Sequence, residues 1–135
     1  MKIKTGLDSN ILVYLYDNDN EHKRKICELL IVDKPTISSQ VISEFLNVTK
    51  RLLKLPKIEI LEKANRLFSK CEIIPMNQET LEKALFLINR YDFQLFDSLI
   101  VASSLQADCT ILYSEDMQHN LLVENQLRII NPFFV

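Results

Sequence analysis

The fold is decided by one stretch near the amino terminus, Ile3-Lys4-Thr5-Gly6-Leu7-Asp8-Ser9-Asn10-Ile11-Leu12-Val13-Tyr14-Leu15-Tyr16. Residues 3–7 are predicted to form a β-strand, and residues 10–16 a short helix directly after it. A strand that runs straight into a helix is typical of parallel α/β sheets, in which ligands bind beyond the carboxyl ends of the strands. Asp8 stands at this junction and is the first candidate for a functional residue.

The rest of the chain continues the alternation of short strand patterns and longer helical patterns. Helices are predicted over residues 20–31, 39–53 and 57–70, from a cap at Asn77 onward, and over residues 97–105. Strands are predicted over residues 36–37, 72–74, 110–113 and 127–130. Strands separated by helices predict a three-layer α/β/α fold, with a mainly parallel sheet flanked by helices. We expect residues 1–135 to form a single domain.

Three of the predicted helices carry apolar residues at helical spacing, and these residues are expected to face the core. The helix over residues 97–105 is apolar on nearly every side, which predicts that it is buried. The expected core positions of the other three are Val41, Ile42, Phe45, Leu46, Leu52 and Leu53, then Ile58, Leu61, Ala64 and Leu67 or Phe68, and finally Leu81, Ala84, Leu85 and Ile88.

The composition limits the classes of protein to which the chain can belong. With 47% hydrophobic and 25% charged residues among 135, it is that of an ordinary globular domain. No stretch approaches the roughly 20 apolar residues of a membrane-spanning helix, and the amino-terminal pattern lacks a signal-peptide cleavage site. Three widely spaced cysteines fit a reducing compartment, so we expect a cytoplasmic protein. A single glycine excludes Gly-rich phosphate-binding loops.

Four acidic residues stand where a folded chain tolerates charge poorly. Asp8 and Asp116 each follow a predicted strand, so both are expected at the carboxyl edge of the sheet. Glu44 lies at the border of an apolar helical stripe, and Asp97 opens the apolar helix. Two carboxylates about 4 Å apart repel by roughly 4 kcal/mol at an effective dielectric constant of about 20. A cluster of four is therefore expected to recruit a cation.

The predicted cation is Mg²⁺ or Mn²⁺. Oxygen ligands suit these ions, whereas the only two histidines, His22 and His119, are far apart and make zinc a poor candidate. A bound divalent ion activates water and neutralises the charge that grows on a phosphodiester during hydrolysis. The four acids therefore indicate hydrolysis of a nucleic-acid backbone, and the net charge of −2 does not exclude this if basic residues are placed locally.

Each acid also has a simpler interpretation when it is taken alone. Asp8 and Asp97 are well placed to cap the helices that follow them. Glu44 alone is typical of a solvated helix edge, and Asp116 alone is typical of a turn. Only their occurrence together favours a metal site.

The charged residues near the acids in the sequence divide into candidates and unlikely participants. Lys50, Arg51 and Lys54 are candidates for contacts with nucleic-acid phosphates, although a solvated helix face explains them equally well. Glu115 is expected to face solvent, because neighbouring side chains in a turn usually diverge. His119 is expected to pack or hydrogen-bond locally, because water activated by a cation needs no imidazole.

The acids lie in four motifs that together span nearly the whole chain. The motifs are Leu7-Asp8-Ser9-Asn10-Ile11-Leu12-Val13-Tyr14, Ser39-Gln40-Val41 with Glu44-Phe45, Phe96-Asp97-Ser98-Leu99-Ile100-Val101-Ala102, and Leu112-Tyr113-Ser114-Glu115-Asp116-Met117-Gln118-His119, with Asn131-Pro132-Phe133 at the close. In order and spacing, this combination resembles the PIN-domain proteins of the VapC toxin type.

The resemblance implies an endoribonuclease that depends on Mg²⁺ or Mn²⁺ and leaves 5′-phosphate and 3′-hydroxyl ends on its RNA substrate. Proteins of this type are usually homodimers, and they are the toxins of type II toxin–antitoxin pairs, neutralised by a small antitoxin protein. By position, the catalytic and metal-binding acids match Asp8, Glu44, Asp97 and Asp116, the polar residue of the first motif matches Asn10, and the hydroxyl before the last acid matches Ser114.

The chain departs from the family pattern at three places without losing an expected ligand. Ser9 stands where threonine is frequent, and Ala107-Asp108 precede Cys109 where glycine is usual. Asn120 stands where glycine often follows the last motif, and asparagine tolerates a left-handed backbone better than most residues.

Three other classes of protein compete with this interpretation. A receiver domain needs an acidic pair near the first strand, and a haloacid-dehalogenase-like phosphatase needs a second Asp two places after Asp8, where the chain has Asn10. Both are disfavoured. An inactive PIN-like module kept for protein interaction stays open as an alternative, because suitable ligands do not prove that a metal is bound.

Overall fold

The computed structural model describes residues 3–134, in which six short strands form one sheet. The strands are β1 (Thr5–Leu7), β2 (Thr36–Ser38), β3 (Glu72–Ile74), β4 (Ile111–Tyr113), β5 (Leu122–Val123) and β6 (Leu127–Ile130). Their order in the sheet is β3-β2-β1-β4-β6-β5, and every neighbouring pair is parallel except β5 and β6. The predicted mainly parallel sheet is confirmed.

Six helices and one 3₁₀ turn connect these strands. They are α1 (Ser9–Val13), the 3₁₀ turn Tyr14–Tyr16, α2 (Glu21–Leu30), α3 (Ser39–Leu53), α4 (Lys57–Phe68), α5 (Gln78–Tyr91) and α6 (Leu95–Gln106). Parallel crossovers are right-handed, so connections that run in opposite directions along the sheet lie on opposite faces. The connections from β1 to β2 and from β2 to β3 run one way, and the connection from β3 to β4 runs back. This gives the predicted α/β/α layers.

Strands β1 and β4 are neighbours at the centre of the sheet, and their chains leave in opposite directions. Leu7 pairs with Tyr113 in register, and the Asp8 amide extends the ladder by donating to the Tyr113 carbonyl at 2.9 Å. The chain after β1 turns toward β2, whereas the chain after β4 continues toward β6. A crevice opens where two such connections diverge, and in open α/β sheets this is where ligands bind.

Helix α6 packs closely on the central strands. Its residues from Ser98 to Leu105 are all buried, as the all-round apolar pattern predicts. The only glycine of the chain, Gly6 in β1, faces this helix, and a Cβ atom placed there would lie 2.9 Å from Ser104 Oγ. The close approach of β1 to α6 therefore leaves little room for a side chain at this position.

The predicted buried faces of three helices are partly wrong. Helix α4 buries Ile60, Ala64 and Leu67, and α5 buries Thr80, Ala84 and Leu87. The side chains expected inside but left exposed are Leu52, Ile58, Leu61, Leu81 and Leu85. Both α4 and α5 carry apolar residues over about half of their circumference, so periodicity alone does not settle which residues face the core. Helix α5 packs along α6, and the adopted orientation lets the Thr80 hydroxyl donate to Gln106 Oε1 of α6 at 2.6 Å.

Most predicted element boundaries agree with the structure to within two residues. The Asn77 cap is confirmed, because its side chain accepts from the Thr80 amide while the Thr80 hydroxyl accepts from the Asn77 amide, each at 3.1 Å. Helix α6 begins at Leu95 rather than at Asp97, and the two-residue strand β5 was not predicted. No helix within residues 3–134 combines the length and apolar character needed to cross a bilayer.

Candidate active site

Asp8 is the fixed centre of the candidate site. It directly follows β1, is only 4% exposed, and caps helix α1 by accepting from the Ser9 amide at 2.7 Å. Its second carboxylate oxygen accepts from the Ser114 hydroxyl at 2.7 Å. Capping and a role in the site are therefore compatible, because the two oxygens of one carboxylate serve different partners.

Burial makes the charge of Asp8 costly. Desolvation is the largest cause that raises its pKa from 3.8 to about 6, opposed by the hydrogen bonds from Ser114 and Ser9. The negative charges of Glu44 and Asp97 raise the pKa further. A buried carboxyl group whose pKa is raised toward neutral pH is typical of a functional site, and a bound cation would favour its charged form.

Glu44 is joined to Asp8 through a serine. The Ser9 hydroxyl donates to Glu44 Oε1 at 2.9 Å, while the amide of the same residue binds Asp8. The other Glu44 oxygen accepts from Gln40 Nε2 at 3.3 Å, one turn earlier on α3. Helix α3 packs against α1, and this contact brings an acid from the second crossover to the end of β1.

Asp116 is joined to Asp8 through an asparagine. The Asn10 amide nitrogen donates to Asp116 Oδ2 at 3.0 Å and lies 3.4 Å from Asp8 Oδ2. Asn10 Oδ1 accepts from the Glu115 amide at 3.3 Å, so one side chain holds the loop after β4 at two points. Asp116 itself is exposed, whereas Ser114 is buried.

Asp97 lies in the first turn of α6, but it does not cap the helix. The residue at the cap position is Gln94, and Asp97 makes no side-chain hydrogen bond with any part of residues 3–134. Its pKa is raised, first by desolvation and then by the charges of Glu44 and Asp116. The capping interpretation of Asp97 is therefore wrong, and its carboxylate lies within electrostatic range of Glu44 and Asp116.

The four acids have no cationic partner in the described part of the chain. None of them forms an ion pair with a lysine, arginine or histidine among residues 3–134. Over the same residues, no three Asp, Glu, His or Cys side chains are close enough to form a ready-made metal site. The arrangement is a hydrogen-bonded anionic edge in which Asp8 is fixed and the remaining acids are more exposed.

The neighbours of these acids also include a group that sequence reasoning missed. Glu115 does not face solvent as predicted, because it forms an ion pair with Lys23 and accepts from the Tyr14 hydroxyl at 2.6 Å. Desolvation raises its pKa, but the hydrogen bonds from Lys23 and Tyr14 outweigh this and leave the pKa below its ordinary value. Lys23 lies 92 residues from Glu115 in the sequence, and no local pattern signals the pair.

His119 behaves as the sequence predicts. Its Nδ1 accepts from the Asn131 amide at 3.0 Å, and its ring stacks on Phe134 with centroids 4.2 Å apart. Both contacts are local packing contacts at the carboxyl-terminal end of the sheet. The prediction that His119 packs and hydrogen-bonds locally is confirmed.

The predicted phosphate-binding residues lie on the exposed end of α3. Lys50, Arg51 and Lys54 are all exposed, and none is ion-paired within residues 3–134. Arg51 is two helical turns from Glu44 and therefore shares its face of the helix. Lys54 follows the last turn of α3 with a left-handed backbone, φ 51°.

A large surface depression lies away from these acids. It has a volume of about 560 Å³ and is lined by residues of α5, the end of α6 and the turn after β5, among them Lys83, Phe86, Gln106 and Glu124. None of the four acids lines it. We place the candidate active site at the anionic edge rather than in this depression, because the acids lie at the edge, near the carboxyl ends of the parallel strands.

Comparisons with known proteins agree with this fold. The PIN domain family model matches residues 7–122. A toxin–antitoxin complex from Klebsiella pneumoniae shares 18% identity at a TM-score of 0.73, covering 98% of this chain and 99% of that chain. VapBC2 from Rickettsia felis, bound to a promoter DNA fragment, shares 19% identity at a TM-score of 0.70, with coverage of 94% and 98%.

The Mycobacterium tuberculosis toxin VapC20, which cleaves the sarcin–ricin loop, shares 16% identity at a TM-score of 0.65, covering 81% of this chain and 87% of that chain. At such identities these structures are similar to the chain in fold. A sequence comparison with curated proteins finds no match. Because the family model spans most of the chain and the fold agrees with it, the chain belongs to the PIN domain family.

Proposed function

We propose that this protein is a Mg²⁺- or Mn²⁺-dependent endoribonuclease and the toxin component of a type II toxin–antitoxin pair. The observation that carries the proposal is the anionic edge, where Asp8 is buried with a pKa of about 6 and has no cationic partner in the described part of the chain. A PIN-domain fold that resembles toxin structures supports it.

The donor set fits a hard divalent cation. Asp8, Glu44, Asp97 and Asp116 offer only carboxylate oxygens, and the Asn10 and Ser114 side chains hold two of these acids in place. Within residues 3–134 these acids do not by themselves form a compact group of metal ligands, and Asp8 is the most buried of the four.

In this proposal the protein side chains hold the reacting groups in position, and a bound cation supplies the positive charge that the reaction needs. When bound, a divalent cation acidifies water and neutralises the developing charge on the phosphodiester. Asp8 keeps its position through Ser114 and Ser9, and Asn10 keeps the Asp116 loop beside it. Attack of water on phosphorus then expels the 3′-oxygen, which leaves 5′-phosphate and 3′-hydroxyl ends.

RNA needs a cationic surface, because an anionic edge alone repels it. Residues 50–70 hold seven lysines and arginines but only two acids. None of these seven bases forms an ion pair within the described residues, whereas six bases elsewhere do. We propose that this basic segment, which extends the predicted Lys50, Arg51 and Lys54, attracts the RNA backbone.

The proposed partners are a small antitoxin protein and a second copy of this chain. Structures of similar fold are toxin–antitoxin complexes, which supports the antitoxin. Leu81 and Leu85 are exposed one turn apart on α5, and Leu95 and Phe96 are exposed at the start of the adjoining α6. Exposed apolar side chains of this kind are typical of interfaces and support a homodimer.

The proposed location is the cytoplasm. All three cysteines, Cys27, Cys71 and Cys109, are free and buried. Free cysteines fit a reducing compartment, where disulfides are rare.

Cleavage of RNA by the purified protein tests the proposed function. We expect single-stranded RNA to be cut when Mn²⁺ or Mg²⁺ is present and to stay intact in EDTA. Asp8→Asn is expected to lower the cleavage rate at least about 100-fold. Asp33→Asn, which changes an exposed aspartate outside the site, is the matched control and is expected to keep full activity.

Cleavage that persists in EDTA, or full activity of Asp8→Asn, would contradict the proposal. The alternative, an inactive protein-interaction module, predicts no cleavage under any condition and no rise in melting temperature when Mn²⁺ is added.

A further inference from the structure

Next to Asp116 in the loop after β4, four side chains form a cluster that is here called the Lys23 cluster. Its members are Lys23, Tyr14, Glu115 and Phe133. Lys23 Nζ forms an ion pair with Glu115 Oε2 and donates to the Tyr14 hydroxyl at 3.2 Å. The Tyr14 hydroxyl in turn donates to Glu115 Oε1 at 2.6 Å. Three side chains therefore satisfy one another in a closed ring of polar contacts.

Two aromatic rings enclose the ammonium group of Lys23. Its Nζ lies 5.0 Å from the ring centroids of both Tyr14 and Phe133, and these two rings meet edge to face at 5.3 Å. The side chains of Lys23 and Glu115 are 28% and 23% exposed, whereas the surface pair Lys25–Glu21 on the same helix is 68% and 65% exposed. Enclosed charge pairs hold a fixed geometry, whereas exposed pairs contribute little.

The Lys23 cluster ends next to a proposed metal ligand. Glu115 precedes Asp116, and the Glu115 amide donates to Asn10 Oδ1 while Asn10 Nδ2 donates to Asp116. The loop after β4 is thus attached to α1 through Asn10 and to α2 through Lys23. Asp116 is itself exposed, so its position depends on these attachments rather than on burial.

We propose that Lys23 is a positioning residue, which acts through Glu115 to hold Asp116 where a divalent cation is bound. The inference rests on the proposed function, because it assigns a role toward the same site. Within residues 3–134, Lys23 forms no ion pair or hydrogen bond with the four acids, and it reaches the loop through Glu115. Partners that orient metal ligands in this way commonly change metal affinity by about 10- to 100-fold when they are removed.

The sign of the effect separates positioning from simple electrostatics. Removing a lysine makes the site more negative, and electrostatics alone would then tighten the binding of a cation. Loss of positioning weakens it instead. Lys23→Met, which keeps most of the apolar stem and removes the charge, is therefore the decisive variant, and Lys25→Met on the same helix is its matched control.

The experiment measures the Mn²⁺ concentration that half-saturates the protein in isothermal titration calorimetry, with RNA cleavage at each Mn²⁺ concentration as a second measurement. We expect Lys23→Met to raise this half-saturating concentration about 10- to 100-fold. Lys25→Met is expected to leave it unchanged. Lys23→Arg is expected to retain most of the affinity, and saturating Mn²⁺ is expected to restore most of the cleavage rate of Lys23→Met.

An unchanged or lower half-saturating concentration in Lys23→Met would overturn the inference, even if the variant melts at a lower temperature without metal. If Lys23→Met does not fold, Tyr14→Phe, which removes one bond of the ring, replaces it with the same expected direction. If the wild-type protein neither binds Mn²⁺ nor cleaves RNA, the proposed function fails instead. Binding by the wild type with no effect of either variant sinks this inference alone.

Discussion

The anionic edge of the sheet and the basic segment of residues 50–70 carry opposite charges and are built in opposite ways. At the edge, Asp8 is 4% exposed and each of its oxygens has a hydrogen-bond donor. In the basic segment, six of the seven lysines and arginines are exposed, only Lys63 is half-buried, and none is ion-paired in the described part of the chain. At the edge, hydrogen bonds hold the charged group of Asp8 in place, whereas the charges of the basic segment have no ionic partners within residues 3–134.

This difference shows why the net charge of the chain is a poor guide to its function. The value of −2 sums a segment with seven bases and two acids and a remainder with nine bases and sixteen acids. Opposite charges on separate surfaces allow one protein to attract a polyanion and still present an acidic site to it. Substitutions at the edge should therefore affect stability strongly, whereas those in the basic segment should mainly affect binding.

The largest expected effect is a pH-dependent gain in stability from Asp8→Asn in the absence of metal. Asp8 has a pKa of about 6 when folded and 3.8 as its ordinary value, so the folded state holds its proton more tightly. The stability of the wild type should fall as the pH rises from about 4 to about 7, by roughly 2 to 3 kcal/mol from this group alone. Urea unfolding in EDTA at both pH values measures the change.

The asparagine side chain of this variant does not titrate, so the stability advantage of Asp8→Asn over the wild type should grow over the same pH interval. Comparing two pH values cancels any constant packing cost of the substitution. Asp97→Asn should show the same sign with a smaller size, because Asp97 is only half-buried. If the difference in free energy of unfolding between Asp8→Asn and the wild type does not grow with pH, the charge of Asp8 does not lower the stability of the protein. The proposed contrast between the anionic edge and the basic segment would then be wrong.

The second effect concerns the close packing beneath the edge. Gly6→Ala places a methyl group 2.9 Å from Ser104 Oγ and should destabilise the protein by about 1–3 kcal/mol. Ser104→Ala removes that oxygen, and the next atoms, Leu112 Cδ1 at 3.4 Å and Ser104 Cβ at 3.7 Å, leave more room. The double variant should therefore recover much of the loss, as thermal unfolding of all four proteins would reveal.

If the double variant is as unstable as the two single variants added together, the clash with Ser104 is not the cause. Such additivity would mean that β1 tolerates no side chain here for another reason. An exposed substitution in the basic segment, Lys57→Ala, serves as the reference and should change stability by less than about 0.5 kcal/mol.

The third effect is on RNA binding. Lys63 and Arg66 lie on α4, Lys70 follows the end of this helix, and all three line one surface depression. Changing all three to Gln should reduce the salt dependence of RNA affinity by about 2 in log–log slope. The matched control changes three ion-paired bases, Lys4→Gln, Lys25→Gln and Arg90→Gln, in one protein. Fluorescence anisotropy with labelled single-stranded RNA in EDTA, at salt concentrations from about 50 to about 200 mM, measures both slopes.

The salt dependence of RNA affinity should fall less in the control than in the variant that changes Lys63, Arg66 and Lys70, because the bases changed in the control already have acidic partners. Equal losses in the two proteins would mean that RNA responds to net charge alone. The basic segment would then have no special role.

The smallest effect is a gain in stability at the end of α3. Lys54 has φ 51° and ψ 34°, a left-handed conformation in which a side chain is strained and glycine is not. Lys54→Gly should raise the free energy of unfolding by roughly 1 kcal/mol. Lys54→Gln removes the same charge but keeps the strain, so it should not stabilise the protein. Equal urea midpoints for the two variants would contradict this explanation.

The positions of the acids of the candidate site at strand and helix ends were predicted from local sequence, whereas the contacts that support these acids were not. Asp8 lies at the junction of β1 and α1 because a strand pattern runs directly into a helix pattern, and the Asn77 cap follows from its own side chain. The buried face of α5 did not follow, because residues 84–88 are all apolar and periodicity cannot choose between faces. In the structure, the buried face of α5 is the one that places Thr80 against Gln106 of α6.

The sequence by itself determined the order of strands and helices, the acids at the strand ends and the excess of bases in residues 50–70. Each of these depends on residues that are close together in the chain. Only the tertiary structure decided that Glu44 meets Asp8 through Ser9, that Lys23 reaches Glu115 across 92 residues, and that burial raises the pKa of Asp8. Such contacts and dielectric environments exist only after distant segments have packed together, so no local pattern encodes them.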